Sequence, residues 1–316
     1  MSITLKKLAH VKGIRSLLYR SNLLRQHTAF VLRNAEHFIK LRREKNSDRA
    51  PISAVIVGRN DDYMSDFIHR LRVTVSWNLR HLASEIIFVE WNPPEDRELL
   101  SLSLAREFSC FRAYIVPAEI HQTLCENEHI KLMEYHAKNV GIRRAKYAWV
   151  LATNADAVLA LDGVRRILGA GLNGEDVVWT TQRLDINWRE GRQREVGFLD
   201  HLRYRRHHSY HPLGTGEFCL ASKRLWERVR GYDESLPKHR FNCDRRGTQQ
   251  MLAHGAQLLK AGAVLHMAHP TSCTERMQPH HGLAASGGNI PYHNANNWGL
   301  SDRREVQIAE RVWRLE

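Results

Sequence analysis

Short apolar runs alternate with segments of helical periodicity over residues 52–153. The apolar runs predict buried strands, and the segments between them predict helices over about residues 63–82, 96–108 and 128–144. This order is typical of an α/β fold with a mostly parallel sheet and helices on both faces. The predicted strands are Ile52–Gly58, Glu85–Trp91, Arg112–Val116 and Ala148–Thr153.

Residues 1–49 follow a different pattern, which predicts a basic amphipathic helical arm. Apolar residues such as Leu5, Leu8 and Val11 recur at helical spacing, and the segment holds 12 Lys and Arg residues against three acidic ones. Two interpretations stay open: the arm binds an anionic membrane surface or nucleic acid, or it is a helical pair packed on the core with a solvated basic face. We expect three segments: the arm at 1–49, an α/β domain at 50–275, and a C-terminal loop with a short helix at 276–316.

Composition excludes several classes of protein. A chain of 316 residues that is 43% hydrophobic can bury a large core, so disorder of the whole chain is excluded. No run reaches the roughly 18 apolar residues that a membrane span needs, so we expect a cytoplasmic protein. The basic arm at 1–49 could attach it to the inner face of the cell membrane. The five cysteines form no C-x-x-C pair, so we expect buried thiols and neither disulfides nor a zinc site.

Polar side chains follow three of the predicted strands at their carboxyl ends. The carboxyl ends of such strands gather along one rim of the sheet, where ligands bind. Asp156 can bind a divalent metal there and, through it, a diphosphate, with Lys138 as a nearby cation. Neither a Walker-type phosphate loop nor a G-x-G-x-x-G after the first strand is present. The three polar groups are Gly58-Arg59-Asn60, Glu90-Trp91-Asn92 and Asn154-Ala155-Asp156.

These residues carry a resemblance to glycosyltransferases of the GT-A fold, particularly the family 2 type. ISAVIVGRND is similar to the first strand of that family, EIIFVEWN to the second, and AKNVGIRRAKYAWVLATNAD to the segment that leads into its Asp-x-Asp motif. The resemblance covers about residues 52–270. It implies a nucleotide-diphospho-sugar transferase fold, a divalent metal (Mn²⁺ or Mg²⁺), and nucleotide-sugar binding by Asn60, Asp61, Glu90, Lys138, Asn154 and Asp156.

One departure concerns the metal. Asn154 occupies the first acidic position of the Asp-x-Asp motif, so Asp156 is the one acid left. Asn154 can offer its amide oxygen to the metal or a hydrogen bond to ribose. This leaves open whether the metal is weakly held or dispensable. The resemblance also implies that a histidine after the last core strands completes the metal site, here His266 or His269, although a single His-x-x-His in a chain with 19 histidines is weak evidence for a metal.

The second half of the chain supplies a candidate base. HRFNCDRRGTQQMLAHGA is similar to the catalytic segment of the family, and Asp244 and Gly255 keep its spacing, while Cys243 replaces its usual Glu. The resemblance implies that Asp244 takes the proton of the acceptor hydroxyl, with inversion at the sugar. The alternative is that Asp244 caps a helix over about residues 246–253.

The sequence therefore predicts a glycosyltransferase that uses a nucleotide sugar, a UDP-sugar in the first instance, and a saccharide or lipid-linked acceptor. Two polar regions, 185–214 and 282–300, are candidates for acceptor recognition. A nucleotidyltransferase is an alternative, but it needs a glycine-rich loop after the first strand, and VGRNDDYM has one glycine. A non-catalytic nucleic-acid-binding protein that uses the basic arm is a third class. That class needs aromatic and basic residues interleaved on an exposed sheet, whereas the predicted strands here are nearly all apolar. No nucleic-acid partner is therefore expected.

Overall fold

The computed structural model describes residues 21, 24–35, 50–61, 63–188, 196, 200, 204–206, 212–236, 242–269 and 290–316. Within them one sheet has helices on both faces, which confirms the predicted α/β class. The helices are α1 (residues 24–35), α2 (Phe67–His81), α3 (Leu100–Glu107), α4 (Ala118–Leu124), α5 (Glu134–Arg143), α6 (Leu161–Gly169), α7 (Lys223–Val229) and α8 (Cys243–Ala253). The strands are β1 (Ile52–Gly58), β2 (Glu85–Trp91), β3 (Phe111–Val116), β4 (Trp149–Thr153), β5 (Ala157–Leu159), β6 (Val177–Ile186), β7 (Tyr204–Arg206), β8 (Phe218–Ser222), β9 (Gln257–Met267), β10 (Glu305–Ala309) and β11 (Val312–Leu315).

The sheet is mixed, but seven of its eleven described strands, β11, β3, β2, β1, β4, β6 and β9, run in one direction, in agreement with the predicted mostly parallel sheet. Its order is β10-β11-β3-β2-β1-β4-β8-β6-β9-β5, and β7 pairs with β6. Strands β11, β3, β2, β1 and β4 run parallel, but β8 enters antiparallel between β4 and β6, and β5 is antiparallel to β9. The β-α repeat in the first half of the chain predicts the parallel strands β1 to β4. The second half has no such repeat, so its strand directions were not predictable from periodicity.

Both faces of the central strands are buried, which is why they form continuous apolar runs in the sequence. On β1, Val55 and Val57 belong to a core that includes Val140 of α5, whereas Ala54 and Ile56 belong to a second core that includes Leu71 of α2. Strands β1 to β4 are buried over their full length. No exposed sheet face is therefore left on these four strands for stacking bases.

Helix α1 lies against the α/β domain through one face. Phe30 is buried with Trp77 and Val158, and the buried Asn34 accepts a hydrogen bond from the backbone N–H of Asp162 at 3.2 Å. Leu24 and Leu32 are the exposed large apolar residues of this helix. Most of the predicted arm lies outside the described residues, so its attachment to a membrane stays a prediction. Among the described helices, none has the length and apolar character to cross a bilayer.

The C-terminal segment differs from the expected loop and short helix. Its described helical part is one 3-10 turn, Trp298–Leu300, which packs on α5 and is held by two hydrogen bonds from Arg144 to the carbonyl oxygens of Gly299 and Leu300. Strands β10 and β11 then form a hairpin, and β11 joins the sheet parallel to β3. Val312 and Leu315 of β11 are fully buried, so this segment is part of the core.

Gly141 allows α5 to approach β1. A Cβ at this position would lie 2.4 Å from Cγ1 of Val55, which is too close for any side chain. We expect Gly141→Ala to lower the free energy of unfolding by about 1–3 kcal/mol, because it overpacks this contact. Urea denaturation checks it, with Gly169→Ala as the matched control. No described atom lies within 4 Å of a Cβ at Gly169, so that variant should be neutral or slightly more stable, and equal losses in both would contradict the packing argument.

Candidate functional site

The turn after β4 holds the predicted Asn154-Ala155-Asp156 group at the rim of the sheet. The Thr74 hydroxyl of α2 donates to the carbonyl oxygen of Ala155 at 2.9 Å, and the Thr153 hydroxyl donates to the carbonyl oxygen of Glu217 at 2.8 Å. Asp156 immediately precedes β5, whose Ala157 pairs with His266 of β9. The sheet register therefore brings Asp156 next to a histidine that is 110 positions away in the sequence.

Asp156, His266 and His269 converge on one point, and their ligand atoms all lie within 4.8 Å of one another. Oδ2 of Asp156 is 2.9 Å from Nε2 of His269 and 3.5 Å from Nε2 of His266. Helix α2 holds this end of β9, because the buried Arg70 donates from Nη1 to the carbonyl oxygen of Met267 at 2.5 Å. All three residues predicted as metal ligands are thus brought together by the fold.

A second carboxylate orients His266. Asp185 of β6 is its register partner on the neighbouring parallel strand, and Oδ1 of Asp185 lies 3.0 Å from Nδ1 of His266. Arg183 bridges Asp185 and Glu217, with 2.8 Å to each carboxylate. A carboxylate on the far nitrogen orients a metal-binding imidazole. The Nδ1–H of His266 would donate to Asp185, which would leave the lone pair of Nε2 for a metal beside Asp156.

The charges of this cluster are strongly coupled. Burial by itself would raise the pKa of Asp156, but His266 and His269 hold it well below its ordinary value. Burial would likewise lower the pKa of His266, but the carboxylates of Asp156 and Asp185 raise it to about 9. Two imidazoles and one carboxylate, with an outer carboxylate in place, are a donor set that fits a divalent transition metal better than Mg²⁺, which prefers oxygen ligands.

Lys138 of α5 connects the turn after β4 to the loop before β8. Its side chain is fully buried, and Nζ donates to Oε1 of Glu134 at 2.8 Å, to Oδ1 of Asn154 at 2.8 Å and to the carbonyl oxygen of Gly216 at 3.0 Å. An ammonium group has three N–H donors, so protein acceptors use all of them. The contact between Lys138 and a diphosphate stays a prediction. In the structure Lys138 positions the side chain of Asn154.

Asp244 lies beside Gly216, in the loop that Lys138 contacts. It is the second residue of α8, which begins at Cys243 after Asn242 as the N-cap, so the expectation of a helix starting near residue 246, with Asp244 as its cap, is corrected. A Cβ on Gly216 would lie 3.1 Å from Oδ2 of Asp244, which places the carboxylate against the loop that Lys138 holds. Burial raises the pKa of Asp244, and the neighbouring Glu217 and Glu134 add to the increase, against the opposing effects of the Arg245 backbone and Lys138.

The predicted nucleoside-binding residues lie on the same rim, but their side chains have different surroundings. Glu90 is fully buried, and its two carboxylate oxygens accept the backbone N–H groups of Leu100 and Ser101 at 3.0 and 2.8 Å, at the first turn of α3. Nδ2 of Asn60 donates to the carbonyl oxygen of Glu98 at 2.9 Å, and Oδ1 of Asp61 is 3.0 Å from Nε of Arg59. A nucleoside contact stays a prediction for these three residues; in the structure Glu90 stabilises the start of α3.

Three acidic residues of the site were not predicted from the sequence: Glu134, Asp185 and Glu217. Asp185 lies in the segment expected to recognise the acceptor, and Glu217 immediately precedes β8. The alternation of β6, in which Leu184 and Ile186 are buried, is a signal that Asp185 is on the opposite face, but only the pairing of β6 with β9 identifies His266 as its partner.

Comparisons with known proteins give distant likenesses. No family model matches the chain, and no curated protein matches it. Among solved structures it is similar to GalNAc-T7 with UDP, GalNAc and Mn²⁺, at 12% identity over 71% of this chain and 45% of that chain, with a TM-score of 0.47. It is also similar to the mannosyltransferase PcManGT from Pyrobaculum calidifontis in complex with GDP-Man and Mn²⁺, at 14% identity over 79% of this chain and 68% of that chain, with a TM-score of 0.44. The chain spans less than half the length of the first of these proteins. Likenesses at this level carry no argument about chemistry, which rests on the site itself.

Proposed function

We propose that the protein is a metal-assisted glycosyltransferase that moves a sugar from a nucleoside-diphosphate donor, in the first instance a UDP-sugar, to a hydroxyl of a saccharide or lipid-linked acceptor, with inversion. The observation that carries the proposal is the triad of Asp156, His266 and His269 at one rim, together with the carboxylate of Asp244. Asp244 lies against Gly216, and Lys138 connects Gly216 to Asn154 in the turn that leads to Asp156. A glycosyl transfer needs both parts: a positive centre for the diphosphate and a base for the acceptor.

The triad would hold the metal through Nε2 of the two histidines and a carboxylate oxygen of Asp156. When bound, such a metal supplies positive charge that stabilises the diphosphate as it departs. Asp185 keeps His266 in the orientation that this role needs, and Arg183 holds Asp185 and Glu217 in place. These contacts fix His266, the member of the triad that lies on a strand, which is a rigid element of the fold.

Asp244 is assigned as the base. A carboxyl group with a raised pKa is a stronger proton acceptor than an ordinary aspartate, provided that it is ionised at the working pH. One oxygen of Asp244 would take the proton of the acceptor hydroxyl while the oxygen of this hydroxyl attacks the anomeric carbon. The bond from this carbon to the diphosphate oxygen breaks on the opposite face, which gives inversion. Asn60 and Asp61 at the carboxyl end of β1 are assigned to the nucleoside.

Two alternatives fit the described residues less well. A nucleotidyltransferase would use the same kind of strand-end metal. Its glycine-rich loop has no counterpart here, because Gly58 at the end of β1 is the single glycine of this stretch and an ion pair joins Arg59 and Asp61. A nucleic-acid-binding role needs an exposed sheet surface, and strands β1 to β4 are buried over their full length.

Thermal unfolding with added nucleotides tests the proposal. We expect UDP and a UDP-sugar to raise the unfolding temperature in the presence of Mn²⁺, and to do so less when EDTA replaces the metal. A ligand at 100 times its dissociation constant stabilises a fold by about 2.7 kcal/mol, which is easily measured. A response to nucleoside triphosphates alone would favour the nucleotidyltransferase, and no response to any nucleotide or nucleotide sugar would contradict the proposed function.

A further inference from the structure

Gly216, in the loop before β8, lies against two oxygen atoms. A Cβ at this position would be 2.9 Å from the hydroxyl oxygen of Tyr135 and 3.1 Å from Oδ2 of Asp244. Both oxygens are therefore about one hydrogen-bond length from the same point, although one belongs to α5 and the other to α8. Gly216 and Asp244 are half-buried, so this point lies at a partly open place on the rim.

The backbone conformation does not explain why a glycine stands here. Gly214, in the same loop, has a φ of 99°, in the region that favours glycine, whereas Gly216 is not among the residues with positive φ. An alanine could adopt the backbone of Gly216, but its methyl group would press on Tyr135 and Asp244. What this glycine provides is room between the two side chains.

Tyr135 is held in place by its ring. The ring meets Tyr232 edge-on with centroids 4.9 Å apart, and Nζ of Lys138 lies 5.0 Å from its centroid. Burial raises the pKa of Tyr135 well above its ordinary value, and the nearby carboxylates of Asp244 and Glu134 add to the increase. The hydroxyl therefore keeps its proton and is a hydrogen-bond donor, not a second base.

The two oxygens have complementary hydrogen-bonding capacities. The carboxylate of Asp244 accepts, the phenol of Tyr135 donates, and no hydrogen bond joins the two within the described ranges. A hydroxyl group both donates and accepts, so it can bridge them. A phosphate oxygen cannot donate, and the negative charge of Asp244 would repel it. The space beside Gly216 thus suits a neutral hydroxyl group.

We propose that Tyr135 binds the reacting hydroxyl of the acceptor: the phenol donates to the oxygen of this hydroxyl, and the hydroxyl donates its own hydrogen to Asp244. The proposal rests on the proposed function, since it names a second contact of the group that reacts there. In the transfer, the remaining lone pair of the acceptor oxygen forms the bond to the anomeric carbon, and the bond from this carbon to the diphosphate breaks. The proton of the acceptor passes to Asp244, and Tyr135 keeps its own.

Tyr135→Phe tests the proposal, because it removes the hydroxyl and keeps the ring with its contacts to Tyr232 and Lys138. Tyr147→Phe is the matched control, since Tyr147 is exposed and lies before the amino end of β4, away from the rim. Gly216→Ala fills the space itself. UDP-glucose, UDP-galactose and UDP-N-acetylglucosamine serve as donors with Mn²⁺, and a panel of p-nitrophenyl glycosides and water serve as acceptors. Release of UDP is measured, together with the dissociation constant of UDP.

We expect Tyr135→Phe to raise the KM for a glycoside about tenfold, which corresponds to the loss of one hydrogen bond, with a smaller change in kcat and the parental affinity for UDP. With water as the acceptor, the rate of hydrolysis should fall about tenfold for the same reason. Gly216→Ala should lose more transfer than Tyr135→Phe, because its methyl group takes the place of the hydroxyl. Tyr147→Phe should match the parent.

Two results would overturn the inference and leave the proposed function standing. One is parental transfer, in KM and in rate, by Tyr135→Phe. The other is an unchanged KM in this variant with a shift of the acid limb of the pH–rate profile, which would show that Tyr135 acts on the charge of Asp244 and not on the acceptor. A parent protein that releases no UDP from any of the three donors, to a glycoside or to water, would contradict the proposed function and the inference together.

Discussion

Asp244→Asn should lower the rate of sugar transfer by about 10²- to 10⁴-fold while leaving nucleotide affinity nearly unchanged. Asparagine keeps the size and the hydrogen-bonding shape of the side chain, but it cannot take the proton of the acceptor hydroxyl. The measurement is the initial rate of transfer to an acceptor that the parent enzyme uses, together with the dissociation constant of UDP in the presence of Mn²⁺. The loss should appear in kcat, because the base acts in the chemical step.

The position of Asp244 allows a structural role to be separated from a catalytic one. A carboxylate in the first turn of a helix stabilises it by about 0.3–1 kcal/mol, and Asp162 occupies a first-turn position in α6, away from the rim. Asp162→Asn is therefore the matched control: it should lose some stability and keep its activity. A folded Asp244→Asn protein that transfers sugar at nearly the parental rate would refute the assignment of Asp244 as the base.

Asp156→Ala should abolish the Mn²⁺-dependent part of UDP binding. Asp156 is the one carboxylate of the triad, and without it two imidazoles remain, a pair that holds Mn²⁺ poorly. The binding of Mn²⁺ alone, followed by electron paramagnetic resonance, should fall below detection in the variant. The fold should persist, because Asp156 lies at a strand end and not among the apolar residues of the sheet.

Asp185→Asn is the control for the metal site, because Asp185 touches His266 without belonging to the triad. An outer partner of this kind is worth about 10- to 100-fold in metal affinity, so this variant should lie between the parent and Asp156→Ala. Equal Mn²⁺ affinity in the parent and in Asp156→Ala would show that the metal is bound elsewhere or is not needed.

Local pattern predicted the parts of the fold that depend on neighbours in sequence. The apolar runs at Ile52–Gly58 and Glu85–Trp91 are strands with the same bounds in the structure, because a strand covered on both faces must be apolar throughout. The gathering of Asn60, Asp61, Glu90, Asn154 and Asp156 at one rim also followed from the sequence, since the parallel strands β1, β2 and β4 place their carboxyl ends together.

Long-range pairing decided what the sequence could not. His-x-x-His was weak evidence for a metal until the antiparallel pairing of β5 with β9 placed Asp156 beside both histidines, and the partner of His266 became Asp185 only through the register of β6 and β9. The sequence alone predicted that a carboxylate able to bind a metal, Asp156, would lie at a strand end. The tertiary structure decided which side chains form ion pairs and hydrogen bonds with this carboxylate. Such partners, like Lys138 for Asn154, depend on the directions of strands joined by long connections, and residue periodicity does not specify these directions.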